Sequence, residues 1–290
     1  PQFDTFTPDQ VVPALRSALS DSERRLAELE ANIQPNWESV DEEMTRIFAG
    51  LYTAWGVSYH LLSVHNSDEL RTAIAEMQPE VVALGNRAAQ SKIIYQATKK
   101  LADTPDSLDS AQQRILKKSI HGMELSGIAL EGAELEAYNA NDARLAALSM
   151  DFGNAVLDAT RSFRLVLSDK DEVAGLPETA LALAAQSAAT NGSPDATPAS
   201  GPWHITLDFP SYGPFMEYAD RRDLREQVYR AMVTRASEDE LDNTPRILEI
   251  LELRAKQAVL LGYASHAEIS LSKKMAKDVD EVRDLMTKVL

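Results

Sequence analysis

The chain has 290 residues and carries 45 acidic against 29 basic side chains, which gives a formal net charge of −16. This charge argues against nucleic acid and anionic membrane surfaces as partners, because both would be repelled. The absence of cysteine excludes disulfides, iron–sulfur clusters, thiolate zinc sites and cysteine nucleophiles. No apolar run approaches the roughly 18 residues of a membrane-spanning helix, and the first residues lack a signal-peptide pattern. We therefore expect a soluble, cytoplasmic protein.

The first half of the chain is predicted to be helical, because glycine and aromatic residues are scarce. Thr7-Pro8-Asp9-Gln10 has the pattern of a helix start, with an N-cap threonine, a proline in the first turn and a glutamine three residues on. This helix is predicted to end at Pro35-Asn36. Four more helices follow, at Trp37 to Val64, Asp68 to Ala102, Ser107 to Leu125 and Gly132 to Arg161. Short turns join the five helices and predict an antiparallel bundle.

The pattern changes after residue 161. Residues 162–167 and 203–208 alternate polar and apolar side chains, which predicts two paired strands. Residues 177–189 are predicted to be helical, and residues 190–202 form a flexible loop by composition. Further helices are predicted at 214–220, 223–236, 244–261, 264–272 and from 279 onward. The resulting division is a helical bundle (1–161), a β-hairpin with a helical and flexible insertion (162–209), and a helical segment (210–290).

The last predicted helix has no stop signal. Apolar residues keep helical spacing from Val279 to Leu290, whereas helices usually finish with glycine, asparagine or a basic turn. The pattern predicts a helix that continues past Leu290.

The five histidines do not form a known metal or nucleophile motif. A helical zinc-hydrolase site needs two histidines four residues apart with glutamate after the first. His60 and His65 are five residues apart, His121-Gly-Met-Glu124 has the order of a di-iron motif reversed, and His266-Ala-Glu268 lacks a second histidine. Nucleophile-elbow and phosphate-loop motifs are also absent. The residues alone predict a mainly helical scaffold without catalytic or metal-binding residues of its own.

Several short segments nevertheless match one known family in the same order along nearly the whole chain. They are Thr7–Leu15, Met123–Leu130, Val156–Thr160, Ala174–Leu181, Leu207–Tyr212, Leu224–Ala231, Thr234–Ser237, Leu248–Arg254, Leu260–Tyr263 and Lys274–Ala276. The match of any one segment is weak evidence for the family, but so many matches in the same order are specific to it. The chain resembles the thimet oligopeptidase and oligopeptidase A family of zinc metallopeptidases, and the oligopeptidase A branch in particular.

The resemblance implies one lobe of a two-lobed, neurolysin-like helical peptidase, whose lobes face each other across a deep channel. Family members are longer, and their zinc motif, His-Glu-x-x-His with a further glutamate, lies downstream of the matched segment. The implied protein is the N-terminal lobe of a metalloendopeptidase that degrades short peptides. This lobe would form one channel wall and be inactive alone, with zinc bound only in the full-length enzyme.

The implied partners are short peptides and a C-terminal catalytic lobe. The alternative is a non-catalytic helical peptide-binding or adaptor protein that reuses this lobe. Tyr212 and Tyr218 are candidates for lining a peptide groove, although tyrosines beside a strand end also serve in packing. Arg225, like Arg230 and Arg235, is a candidate for contacting a peptide carboxylate, but the favoured alternative is that these arginines form ion pairs with Asp223, Glu226 and Glu217.

Overall fold

The computed structural model describes residue 3 and residues 5–289. The fold is mainly α, as predicted, and the described residues contain one two-stranded antiparallel sheet. The strands are β1 (Leu165–Leu167) and β2 (Trp203–Ile205). The helices are α1 (Val11–Asn32), α2 (Glu43–Val64), α3 (Asp68–Ala89), α4 (Lys92–Ala102), α5 (Ser110–Leu125), α6 (Gly132–Ser162), α7 (Glu178–Thr190), α8 (Phe209–Tyr218), α9 (Arg222–Val233), α10 (Thr244–Leu260), α11 (His266–Leu271) and α12 (Val279–Val289).

The chain divides into two compact units. One comprises Pro1–Leu148 with Ile250–Leu290, and the other comprises Ser149–Glu249. The three-part division at residues 161 and 209 stays a prediction. The predicted continuation of the last helix at Leu290 lies outside the described residues.

The first unit is built around α1. Thr7 precedes a short 3-10 turn, and its backbone N–H donates to Gln10 Oε1 at 3.3 Å, so the predicted helix start is confirmed. Apolar residues spaced by three, four or seven positions put one face of α1 into the core, including the fully buried Leu15 and Leu26. The hydroxyl of buried Ser22 donates to the Ile47 carbonyl at 2.9 Å, which joins α1 to α2.

The predicted third helix is two helices, so the prediction of one continuous helix over 68–102 is wrong. The break follows Gln90, and Ser91 becomes the N-cap of α4 by accepting a hydrogen bond from Ile94 N at 3.4 Å. The Gln90 side chain donates to the Ser126 carbonyl at 2.9 Å. A serine side chain that satisfies a backbone donor competes with helix continuation, and apolar spacing alone does not reveal that competition.

The second unit has its own core around the small sheet. Leu165 pairs with Ile205 and Leu167 with Trp203 in antiparallel register. Trp203 and Phe215 are each 1% exposed, and α7, α8 and α9 contribute the surrounding apolar side chains. Both strands are shorter than predicted. α6 continues through Ser162 before β1, and after β2 the backbone N–H of Thr206 donates to Ser211 Oγ of α8 at 3.0 Å.

His204 on β2 is expected to make the second unit less stable in acid. Burial, followed by the charge of Arg164, lowers the pKa of His204, and its Nδ1 has no hydrogen-bond partner within the described residues. The unfolded chain therefore takes up the proton first, and stability is lost as pH falls through about 6.5 toward the lower folded value. In urea unfolding at pH 7.5 and 5.5, the His204→Gln variant should show a smaller loss between the two pH values than the unsubstituted chain. An identical loss in both proteins would contradict this assignment.

Candidate functional site

The three residues predicted to face a peptide all lie on α8 and α9 of the second unit. Asp208 is the N-cap residue before α8, and its carbonyl accepts a hydrogen bond from the Tyr212 N–H at 2.8 Å. Pro210 lies in the first turn, where its missing N–H leaves no hydrogen bond unmade. Tyr212 is half-buried and packs against the core cluster that contains Phe215. The ring of Tyr212 therefore has a packing role in this unit.

Tyr218 is placed differently, since it ends α8 with 48% of its surface exposed. The hydroxyl of Tyr218 donates a hydrogen bond to the carboxylate of Glu217. This bond raises the pKa of Tyr218, so the phenol stays protonated at neutral pH. Because the hydroxyl donates its one proton to Glu217, Tyr218 presents an exposed apolar ring face and a hydroxyl oxygen that can accept a hydrogen bond from a ligand. Of the two predicted tyrosines, Tyr218 is the more available to a peptide.

Arg225 on α9 bonds to the segment that connects α8 to α9. Its Nη1 donates to the carbonyl of buried Ala219, directly after the end of α8. The neighbouring arginines use carboxylates instead: Arg221 pairs with Asp223 at 2.5 Å. The hydrogen bond from Arg221 lowers the pKa of Asp223 to about 2. The guanidinium of Arg225 is thus engaged by the backbone, not by the expected Asp223 or Glu226.

The histidines occupy separate environments. The ring of His60 on α2 lies edge-on to Phe3 with 5.8 Å between centroids, and His121 Nε2 lies 2.9 Å from Ser272 Oγ. Within residues 3 and 5–289, no three histidine, aspartate or glutamate side chains are placed to share a metal ion. The zinc that the resemblance implies therefore has no fitting set of ligands in this part of the chain.

The sequence reasoning missed a row of aromatic side chains along α2. Phe48 and Tyr52 stack with 5.6 Å between ring centroids, and Trp55 and Tyr59 follow with 5.8 Å. Phe48 is buried, whereas Tyr52 is 63% exposed. We call Phe48, Tyr52, Trp55 and Tyr59 the α2 aromatic row. Their spacing of four, three and four residues is the signal that would have placed them on one helix face.

No helix in the described part of the chain is both long enough and apolar enough to cross a membrane.

The chain matches two family models in order. Residues 15–135 match the N-terminal domain of neurolysin and thimet oligopeptidase, and residues 215–290 match peptidase family M3. It is 44% identical over its whole length to a probable cytosolic oligopeptidase A of Arabidopsis thaliana, and covers 41% of that relative. It is 43% identical to the chloroplastic and mitochondrial organellar oligopeptidase A of the same plant, covering 37% of it.

The match extends to bacteria. With 99% of its length aligned, the chain is 35% identical to oligopeptidase A of Escherichia coli and covers 42% of it. The chain thus spans about two fifths of the length of these relatives. The two family models and the alignment over the whole chain agree: the chain is similar to peptidase family M3, and to its oligopeptidase A branch in particular.

Proposed function

We propose that this chain is the N-terminal lobe of a zinc-dependent oligopeptidase that degrades short peptides, and that it is inactive alone. The observation that carries the proposal is the alignment of the whole chain with oligopeptidases A at 35–44% identity. The described residues hold no metal-ligand cluster. The proposal therefore assigns zinc binding and peptide-bond cleavage to the C-terminal catalytic lobe, which is the lobe's main partner.

The role of this lobe is to form one wall of a channel that admits short, unstructured peptides. Tyr218 supports this role in the second unit, and Tyr52 and Tyr59 of the α2 aromatic row support it in the first, because these three rings are exposed. Aromatic side chains gain contact area with flexible peptides at a small cost in conformational entropy. We extend the proposal to a cytoplasmic location, since one relative is named as cytosolic.

The proposed partner lobe is supported by an apolar face on α12. Val282, Leu285, Met286 and Val289 are exposed and share one side of the helix by their spacing of three, one and three residues. Exposed apolar patches of this kind mark surfaces that another protein segment covers. The occupant that we propose is the catalytic lobe, since the relatives are more than twice as long as this chain.

Replacing Tyr218 with alanine is expected to weaken the binding of a fluorescein-labelled oligopeptide to the chain by about three- to tenfold. The loss reflects the roughly 0.5–1.5 kcal/mol that an aromatic contact contributes beyond its area. Fluorescence anisotropy measures the change. Tyr229→Ala is the matched control, because Tyr229 is 51% exposed on α9 and was not predicted to face peptide. Equal affinities for the Tyr218→Ala variant and the unsubstituted chain would remove Tyr218 from the proposed wall.

The reading frame of the gene distinguishes the peptidase lobe from the alternative of a non-catalytic adaptor protein. A reading frame that continues past Leu290 to a His-Glu-x-x-His motif supports the peptidase lobe. A stop codon directly after Leu290 supports a separate, non-catalytic peptide-binding protein.

A further inference from the structure

A cavity of about 520 Å³ lies between α5 and the turn after α11, both in the first unit. Its polar lining is almost wholly basic, although the chain as a whole carries a net charge of −16. The polar residues that line the cavity are Arg114, Lys118, His121, Ser272, Lys273 and Lys274. The peptidase proposal does not use this cavity.

The basic side chains of α5 share one face of the helix. Lys118 lies four residues and His121 seven residues after Arg114, so the three side chains lie in a row along the helix. At 1.5 Å per residue the row extends over about 10 Å. Lys273 and Lys274 border the same cavity from the turn.

A hydrogen bond between His121 and Ser272 joins the two sides. The hydroxyl of Ser272 donates its one proton to the Ile269 carbonyl at 2.8 Å, and it lies 2.9 Å from His121 Nε2. Because that hydroxyl proton is already used, His121 Nε2 is the donor and Ser272 Oγ the acceptor. This bond holds the turn against α5, with the two lysines at the cavity edge.

In the part of the chain that the structure describes, four of the five basic side chains at the cavity lack an acidic partner, and the fifth, His121, has its Nδ1 3.8 Å from a carboxylate oxygen of Glu124. Within the described residues, Arg114, Lys118, Lys273 and Lys274 form no ion pair, and no carboxylate lines the cavity. Arginines elsewhere do pair, for example Arg16 with Glu76 at 2.7 Å. Like charges collected without counter-ions repel one another, and a bound anion relieves that repulsion.

We propose that this cavity binds a small polyanionic ligand carrying two or more phosphate or carboxylate groups. A single oxyanion would engage one end of a basic row about 10 Å long, whereas a ligand with several oxyanion groups engages α5 and the lysine turn together. The cavity volume is also that of an organic-ligand site, which commonly measures about 300–1,000 Å³.

The test is isothermal titration calorimetry of the chain with inorganic tripolyphosphate and, separately, with a tetraglutamate peptide, at low ionic strength. Binding of tripolyphosphate alone identifies a phosphate ligand, and binding of the peptide alone identifies a carboxylate ligand. Saturable binding of either one supports the site. No saturable binding of either at millimolar concentration overturns it.

A charge-matched pair of variants tests the location. The double variant Lys273→Gln/Lys274→Gln should weaken the binding at least about tenfold, since two charge-assisted contacts are lost. Lys99→Gln/Lys100→Gln removes the same charge from exposed positions on α4, beside Asp103 and Glu124, and should change the affinity less than twofold. Equal weakening by the two double variants would indicate attraction to the whole protein and would overturn the proposed site. Circular dichroism checks that all variants remain folded.

Discussion

Replacing Gly175 with alanine is expected to lower the free energy of unfolding of the second unit by about 2–5 kcal/mol. Gly175 has a φ of +86°, where an added Cβ costs about 1–2 kcal/mol. That Cβ would also collide with the backbone oxygen of Tyr218 and approach the carboxylate of Asp220. Relieving such overpacking costs about 1–3 kcal/mol more, because the obstructing atom belongs to the backbone and moves with difficulty.

Urea unfolding followed by tryptophan fluorescence measures this effect. The chain has three tryptophans, and replacing Trp37 and Trp55 with phenylalanine leaves Trp203 as the reporter of the second unit. Gly192→Ala is the matched control, because Gly192 has a φ of +100° and open space around the added Cβ. The Gly192→Ala variant should lose only the roughly 1–2 kcal/mol of stability that a Cβ at positive φ costs. Equal losses for the two variants would show that the contact with Tyr218 contributes nothing.

Replacing Trp203 with alanine should lower the stability of the same unit by about 3–5 kcal/mol, the usual cost of truncating a buried large aromatic residue. Trp203 is 1% exposed at the centre of the core around the sheet. Its Nε1 donates to the Pro198 carbonyl at 3.2 Å, so the truncation also removes a bond that holds the preceding loop. Thermal unfolding followed by circular dichroism should show an early transition in the variant.

Phe209→Ala provides the comparison for Trp203. Phe209 is an aromatic residue of the same unit, but it is 77% exposed at the start of α8. Its truncation should shift the transition little, because most of the ring is already in water. A shift as large as that of Trp203→Ala would contradict the placement of the core.

The sequence predicts a helix well where capping residues and apolar spacing within the helix decide its structure. The Thr7 to Gln10 start and the apolar face of α1 need only neighbours in the chain, and both are confirmed. Ser91 shows the limit, because apolar spacing continues through it while its hydroxyl caps a new helix. The strand ends show the same limit: α6 takes Ser162 from the first predicted strand, and β2 stops at Ile205, after which the Thr206 N–H bonds to Ser211 of α8.

The candidate site was less accessible to sequence reasoning, because its contacts depend on the fold. The acidic residues of this segment suggest ion pairs for its arginines, but the Arg225 guanidinium donates to the Ala219 carbonyl between α8 and α9. The basic cavity joins Arg114 to Lys273 across more than 150 residues of sequence, and no local pattern predicts that meeting. The α2 aromatic row, in contrast, was readable from its spacing.

The most direct test of the proposed peptidase lobe is cleavage of a quenched fluorescent oligopeptide in the presence of added zinc. The purified 290-residue chain should show no turnover, whereas the protein encoded by the complete reading frame should cleave the peptide and lose activity with a chelator. Chelator-sensitive turnover by the 290-residue chain would contradict the assignment of the metal site to another part of the enzyme. Failure of the complete protein to cleave any short peptide would contradict the peptidase proposal itself.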